Sequence, residues 1–353
     1  MLIIHQQFDR WFGLYRQTLA AIHQRRRGPN LQIIIWPHSF LRLLKLRPAV
    51  WRGKPRSGEQ EMSDTVGFIG VGIMGSAMSR RIIGSGRRLV AYDPDHPAVA
   101  AMVSAGAGAA TVAEMAAACG VIFSSLPGVK ALEATVDALV EAGPSAAILV
   151  DTSTLPIEAK QAAKQRLDQA GITMLDAPVS GTGAQAALGD LSVLASGDRE
   201  AFDRALPVME VFARSIHYLG EFGAGMAMKL LANHLVAVHS LVAAEVLSLS
   251  SQAGIAPSLA VAVLGDGAGA SRMLAVRGPV MAERAFDPPT AHIDTLIKDL
   301  ALIETFCADK AVQTPLLHAA TATYRAAEEA GWGRRDISSL YDFVQQKQRG
   351  EAD

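Results

Sequence analysis

Thr65-Val66-Gly67-Phe68-Ile69-Gly70-Val71-Gly72-Ile73-Met74-Gly75 is the stretch on which the fold turns. Residues 65–69 read as a short buried strand that runs straight into a G-x-G-x-x-G turn. Residues 73–83 have helical character and stop near Gly84-Ser85-Gly86, and a second strand over 88–92 ends in Asp93. Strand, glycine turn, helix, strand and acid make up the dinucleotide fingerprint. Gly70 permits the tight turn, Gly72 has no side chain to hold a pyrophosphate away, and Gly75 lets the helix pack closely on the strand. Ile73 and Met74 belong to the first helical turn, whose unpaired N–H groups and positive dipole end suit phosphates. Asp93 lies 18 residues past Gly75, where a carboxylate accepts from a ribose hydroxyl and repels a 2′-phosphate. The following Pro94-Asp95-His96-Pro97 brings no arginine, so NAD is expected over NADP. A carboxylate that merely caps the next helix is the alternative.

The same alternation continues outward. A strand over 121–125 ends in Leu126-Pro127-Gly128, and another over 146–150 ends in Asp151-Thr152-Ser153-Thr154. Helices are predicted over 129–142 and 156–170, and further strands at 172–176, 191–196 and 215–219. This pattern predicts a Rossmann-type, doubly wound, mainly parallel sheet covered on both faces. Ligands of such sheets bind beyond the carboxyl ends of the strands, so Leu126, Pro127 and Thr154 are candidate cofactor contacts. From about 222 the pattern is wholly helical. One helix of about 45 Å is predicted over 224–253 at 1.5 Å per residue, ended by Gly254 with Pro257 following. Others are predicted near 257–264, 271–284, 290–310, 314–330 and 336–347. The expected architecture is α/β followed by all-α: a basic extension at 1–61, a dinucleotide-binding domain at 62–223 and an all-helical domain at 224–353, joined by the long helix.

Composition sets the outer limits. The 353 residues, half of them hydrophobic and 19% charged, suffice for two domains. Two cysteines, Cys119 and Cys307, are too few for a disulfide scaffold or a cysteine-based zinc site. The net charge of -1 hides an asymmetry: residues 1–61 hold 11 Lys and Arg against 3 Asp and Glu, the remainder 22 against 31. An acidic body is a poor partner for nucleic acid. The basic head carries Trp11, Trp36, Trp51 and an Arg25-Arg26-Arg27 run. It reads as sequence upstream of a true start at Met62, as a basic arm, or as a mitochondrial transit peptide. The expected location is cytoplasmic, or the mitochondrial matrix in the third case. No stretch reads as a membrane span, since the apolar region 226–252 carries Lys229, Asn233, His234, His239 and Glu245. No metal cluster is expected, because His234 and His239 do not share a helical face.

Asp176-Ala177-Pro178-Val179-Ser180-Gly181-Thr182-Gly183, followed by Gly189-Asp190-Leu191, resembles the D-x-P-V-S-G-G and G-x-L of the β-hydroxyacid dehydrogenases. Gly223-Ala224-Gly225-Met226-Ala227-Met228-Lys229-Leu230-Leu231-Ala232-Asn233 is similar to that family's G-x-G-x-x-x-K-x-x-x-N. Ile297-Lys298-Asp299-Leu300, after Phe286-Asp287-Pro288-Pro289, resembles its K-D-L after F-x-P, and Gly331 to Ser338 its closing G-x-G-x-x-D-x-S. The likeness covers about 62–345. It implies that Ser180 and Gly181, with Thr182 beside them, hold a substrate carboxylate. It also implies that Lys229 is the acid/base with Asn233 as its partner, and that Lys298 reaches the nicotinamide and substrate. Spacing supports one part independently: Lys229 and Asn233 are i and i+4 on one face of an apolar helix, where a lysine has a lowered pKa. A lysine that snorkels to solvent is the bland alternative. Thr182 stands where the family has a second glycine, Gln185 where it has a small residue, and Ala232 where Asn is frequent.

The resemblance implies hydride transfer between a nicotinamide and a small 3-hydroxy acid, as in 3-hydroxyisobutyrate dehydrogenases, by a homodimer or homotetramer and without a metal. An imine reductase on the same scaffold is an alternative that Lys229 argues against. A non-enzymatic dinucleotide-binding module is the other.

Overall fold

The computed structural model describes residues 65–348. The readings made for 1–61, and for a start at Met62, lie outside them. In chain order come β1 (Thr65–Ile69), α1 (Ile73–Gly84), β2 (Arg88–Tyr92), α2 (His96–Ser104), β3 (Gly108–Ala109), α3 (Val112–Ala118), β4 (Val121–Ser124), α4 (Val129–Ala142), β5 (Ile148–Asp151), α5 (Ile157–Gln169) and β6 (Thr173–Asp176). The six strands are parallel in the order β3-β2-β1-β4-β5-β6. Every residue of β4 and β5 is buried, because helices cover both faces. Phe68, Met78 and Phe123 sit in one apolar cluster, and Met115, Ile122, Leu132 and Leu149 in another. The strand order reverses between β1 and β4, which is where such sheets take their ligand.

Two expectations need correction. The two-residue β3, paired with β2, was not anticipated. The strands expected at 191–196 and 215–219 do not extend the parallel sheet. They form a second sheet from β7 (Val179–Ser180), β8 (Leu191–Ala195) and β9 (Ala213–Tyr218) in that order. Pro178 has no N–H to donate, so the chain after β6 cannot go on pairing as it did. The segment between β7 and β8, with the short α6 (Gly183–Leu188), is too short for a parallel crossover, and β7–β8 is antiparallel. The longer α7 (Arg199–Phe212) supplies a crossover, and β8–β9 is parallel. Reciprocal bonds between Asp176 and Ser196 backbones, 3.0 and 2.7 Å, pin the second sheet to the edge of the first.

The rest is helical: α8 (Ala224–Gln252), α9 (Pro257–Gly265), α10 (Arg272–Glu283), α11 (Ile293–Asp309), α12 (Pro315–Ala327) and, after a wide turn, α13 (Leu340–Gln348). The 29 residues of α8 span about 44 Å. The helix is long and apolar enough to cross a bilayer, yet each of α9 to α13 packs against it. Met226, Leu230, Ala237, Leu241, Ala244 and Leu247 bury themselves among Leu296, Leu300, Leu317 and Tyr324.

Candidate active site

A cavity of about 560 Å³ opens beyond the carboxyl ends of β1 and β4. Gly70, Gly72, Ile73, Met74, Asp93, Leu126 and Pro127 all line it. Gly70 has φ +84°, and a Cβ there would stand 2.3 Å from the Ser125 carbonyl oxygen. Gly75 is behind the wall, where a Cβ would meet the Gly70 carbonyl oxygen at 1.9 Å. Gly72 differs from both, with nothing within 4 Å of its missing Cβ. It also caps α1 without a side chain, leaving the first-turn N–H groups free of any side-chain acceptor. Open space, a bare helix N-terminus and the apolar wall of Val112, Leu126, Ala134 and Ala138 fit a dinucleotide. Asp93 does more than serve the next helix. One carboxylate oxygen accepts from Val71 N at 2.8 Å and the other from Asp95 N at 2.9 Å, tying β2 to the glycine turn. Each oxygen has capacity for a further donor.

A second cavity, about 330 Å³, brings together Ser180, Gly181, Thr182, Lys229 and Asn233 with Arg214, Arg272, His292 and Asp299. Among the described residues no partner takes the Ser180 hydroxyl. Thr182 and Gln185, the two departures from the family pattern, cap α6 reciprocally. The Thr182 hydroxyl accepts from Gln185 N at 3.3 Å, and the Gln185 side-chain carbonyl accepts from Thr182 N at 3.0 Å. The Gln185 amide then donates to Asp190 at 3.2 Å, and Arg214 Nε donates to the other Asp190 oxygen at 2.6 Å. Ile73, which lines the first cavity, packs where Gly183 has no side chain, 2.7 Å from an ideal Cβ, and Gly183 directly follows Thr182 of the second cavity's lining.

Part of the surface of Lys229 faces the cavity, but packed atoms surround it, and this desolvation lowers its pKa while the Asp299 charge opposes the fall. Burial raises the Asp299 carboxyl in turn, against the charges of Lys229 and Lys298 and a bond from Asn233. Asn233 Nδ2 donates to Asp299 Oδ2 at 2.7 Å, so the asparagine is held by the carboxylate that follows Lys298 in the K-D-L stretch. Lys298 and Thr154 line neither cavity. They meet each other, Lys298 Nζ donating to the Thr154 carbonyl at 3.4 Å.

The sequence reading missed a buried charge cluster under α8. Lys160 of α5 is fully buried, 2.6 Å from Asp176 and 3.0 Å from Asp151. Burial alone would lower its pKa, but the two carboxylates outweigh that and raise it. Asp151 accepts from the Ser124 and Ser153 hydroxyls at 2.8 and 2.6 Å. Asp176 accepts from Met226 N at 2.7 Å, and the Ser196 hydroxyl from Gly225 N at 2.9 Å. Gly223 caps α8 with no side chain; the opening aspartate of the D-x-P-V-S-G stretch serves instead. A Cβ at Gly225 would stand 2.2 Å from the Leu194 carbonyl oxygen, so only glycine lets α8 start this close to β8. The closing motif is explained similarly: Asp336 accepts from Thr290 N, the Thr290 hydroxyl and Ser338 N, each at 2.7 Å.

Two family models cover most of the chain. Residues 65–220 match the NAD-binding domain of 6-phosphogluconate dehydrogenase, and 223–344 match the NAD-binding domain of NADP-dependent 3-hydroxyisobutyrate dehydrogenase. The chain is 30% identical over 284 residues to an L-threonate dehydrogenase of Cupriavidus necator, covering 79% of this chain and 95% of that one. It is 31% identical over 297 residues to an NAD-dependent L-serine dehydrogenase of Pseudomonas aeruginosa, covering 79% and 98%. A Mycobacterium tuberculosis 3-hydroxyisobutyrate dehydrogenase with L-serine superposes with a TM-score of 0.73 at 28% identity, over 80% of this chain and 99% of that one. An imine reductase of Pseudomonas sp., 20% identical with a TM-score of 0.51, shares the fold alone. The chain belongs to the 3-hydroxyisobutyrate dehydrogenase branch of the β-hydroxyacid dehydrogenases, NAD(P)-dependent oxidoreductases acting on the CH–OH group of small hydroxy acids.

Proposed function

We propose that Lys229 is the proton-transferring group of this dehydrogenase, that Ser180 and Gly181 seat the substrate carboxylate, and that NAD is the preferred coenzyme. One observation carries the first two assignments: Lys229, with its pKa lowered by burial, opens onto the same cavity as Ser180 and Gly181. A hydroxyl and exposed N–H groups bind a carboxylate without a full positive charge. Neutral Lys229 then takes the proton of the carbinol β to that carboxylate, and in reverse its ammonium returns it. The bound nicotinamide accepts or supplies the hydride. Asp299 keeps the Lys229 pKa from falling further and fixes the Asn233 amide. Lys298 closes the seam between α11 and the carboxyl end of β5 through Thr154. Relatives named for L-serine and 2-(hydroxymethyl)glutarate, which carry a hydroxyl β to a carboxylate, support a 3-hydroxy acid as substrate.

For the coenzyme, the support is Asp93 on the cavity wall and no lysine or arginine among the described residues lining it. Assayed with 3-hydroxy acids, Lys229→Ala loses turnover by about 10²- to 10⁴-fold while still binding NAD. Undiminished turnover in that variant rejects the assignment. The kcat/KM for NAD exceeds that for NADP, and Asp93→Ser moves the ratio toward NADP; an NADP preference in the wild type rejects the coenzyme reading.

We further assign 62–223 to the coenzyme domain and 224–353 to the substrate and dimerisation domain. Leu231, Leu235, Val242 and Leu249 form an exposed apolar stripe along α8, which supports a homodimer or homotetramer. A monomer in sedimentation equilibrium at assay concentration rejects that.

A further inference from the structure

We infer that the substrate carries a second anionic group, bound by Arg272 and Arg214 on the wall of the Lys229 cavity. This deepens the reading above and rests on its placing the first carboxylate at Ser180 and Gly181. The second site is built from two parts of the molecule: Arg214 lies on β9, and Arg272 opens α10. Both line the cavity that holds Lys229, and both act electrostatically on the one carboxylate of Asp190. That carboxylate is already committed. Its two oxygens accept from Arg214 Nε at 2.6 Å and from the Gln185 amide at 3.2 Å. It neutralises one guanidinium, and Arg272 is left over. Among the described residues Arg272 makes neither a hydrogen bond nor an ion pair.

A solvated arginine on an open surface asks for no explanation. Arg272 and Arg214 are both exposed to solvent, yet each lines the cavity that holds the reacting lysine, and the one carboxylate both act on, Asp190, is already bonded to Arg214 and Gln185. The first carboxylate does not use this surplus, since its seat is a hydroxyl and a backbone N–H. Guanidinium presents a planar fork of donors matched to a carboxylate or phosphate. The ligand class is therefore a hydroxy acid whose chain ends in a second carboxylate or a phosphate monoester.

The test is a ratio of kcat/KM within matched pairs on the full-length enzyme with NAD: 2-(hydroxymethyl)succinate against its isosteric 4-carboxamide, and 4-phosphoerythronate against erythronate, which lacks the phosphoryl group. A charge-assisted hydrogen bond is worth ~10- to 100-fold, so the dianion of at least one pair leads by about tenfold or more. The pair with the larger ratio identifies the anion. Arg272→Met pulls that ratio toward one, Arg272→Lys restores part of it, and Arg272→Glu inverts it. Turnover of both members with a ratio of one or below, or a ratio that Arg272→Met leaves unmoved, overturns the second subsite alone. Turnover of no hydroxy acid by a protein that still binds NAD overturns the Lys229 reading, and this inference with it.

Discussion

Replacing Lys160 by methionine removes one cation from between two buried carboxylates. The ammonium is fully buried and contacts Asp176 at 2.6 Å and Asp151 at 3.0 Å. Asp151 Oδ2 has that ionic contact and no hydrogen bond. Breaking a buried pair by removing one partner costs about 3–5 kcal/mol, because the other charge is left uncompensated. At roughly 2 °C per kcal/mol for a chain of this size, the melting midpoint at pH 7 falls by roughly 6–10 °C. The pH dependence has a definite sign. The Lys160 pKa is raised in the folded state, so its stabilisation is complete below the unfolded value near 10.5 and is lost as pH rises through the higher folded one. The wild type loses this increment above about pH 10.5, and Lys160→Met lacks that alkaline limb. Adding Asp151→Asn to Lys160→Met removes one stranded charge and recovers about half of the loss, since Asp176 keeps its bonds to Met226 and Ser196. Scanning calorimetry across pH 6–11 measures all of this. A single variant melting within about 1 °C of wild type, or a double variant no better than the single, refutes the view that the cluster is held together by charge.

Asp299→Asn takes away the charge that holds the Lys229 pKa up. The acidic limb of the kcat/KM–pH profile therefore moves to lower pH, and a limb that stays or moves up contradicts the pairing. A lysine whose folded pKa lies below its unfolded one destabilises the fold at pH values under that folded pKa, and the penalty fades as pH rises from there toward 10.5. Lys229→Met accordingly melts above wild type at pH 7, while an unchanged or lower midpoint speaks against a desolvated ammonium. Gly72→Ala has open space around its new Cβ and folds normally but weakens NAD binding. Gly75→Ala puts a methyl 1.9 Å from the Gly70 carbonyl oxygen and lowers the melting midpoint itself. Equal midpoints in the two variants would show that the glycines do not divide the work this way.

The coenzyme half was legible because its signals are contiguous: the turn at Gly70–Gly75 and the acid at Asp93 lie within one strand-helix-strand unit. Lys229 and Asn233 were legible for a similar reason, since one helix face carries both. What escaped the reading depends on distant partners. Lys160 and Lys164 sit one turn apart on a polar helix, yet one is fully buried between aspartates while the other is paired with Asp168 near the surface. Nothing local separates them, because the carboxylates that receive Lys160 arrive at the ends of β5 and β6. The second sheet was misassigned because β8 and β9 have the local pattern of the parallel strands. Their pairing is decided by Pro178 and by the length of the connection around α6. Thr182 and Gln185 stand out in the sequence as departures from the family pattern beside the carboxylate seat. As a capping pair they are in large part a change of how α6 is held, and they pass that order on to Asp190 and Arg214.

Two lysines close to the same helix show that burial alone does not set the direction of a pKa shift. Desolvation is the largest influence on both. Lys160 has two carboxylates in contact, with the N-terminus of α8 adding positive character to Asp176 from the other side, and its proton is held more tightly than in water. Lys229 has one carboxyl influencing it, itself made reluctant to ionise by burial and occupied by Asn233, and its proton is held less tightly. Burial of a cation therefore does not by itself yield an acid/base; the strength of the counterion decides which way the pKa moves. The first cluster also fixes where the second can act, because Asp176 receives the N–H of Met226, one turn before Lys229. Weakening the Asp176 cap without touching Lys229, as Ser196→Ala does by removing the Gly225 and Asp176 bonds, should lower kcat while leaving NAD affinity unchanged. If kcat is unaltered in that variant, the start of α8 is set by packing at Gly225 and the charge cluster is a matter of stability only.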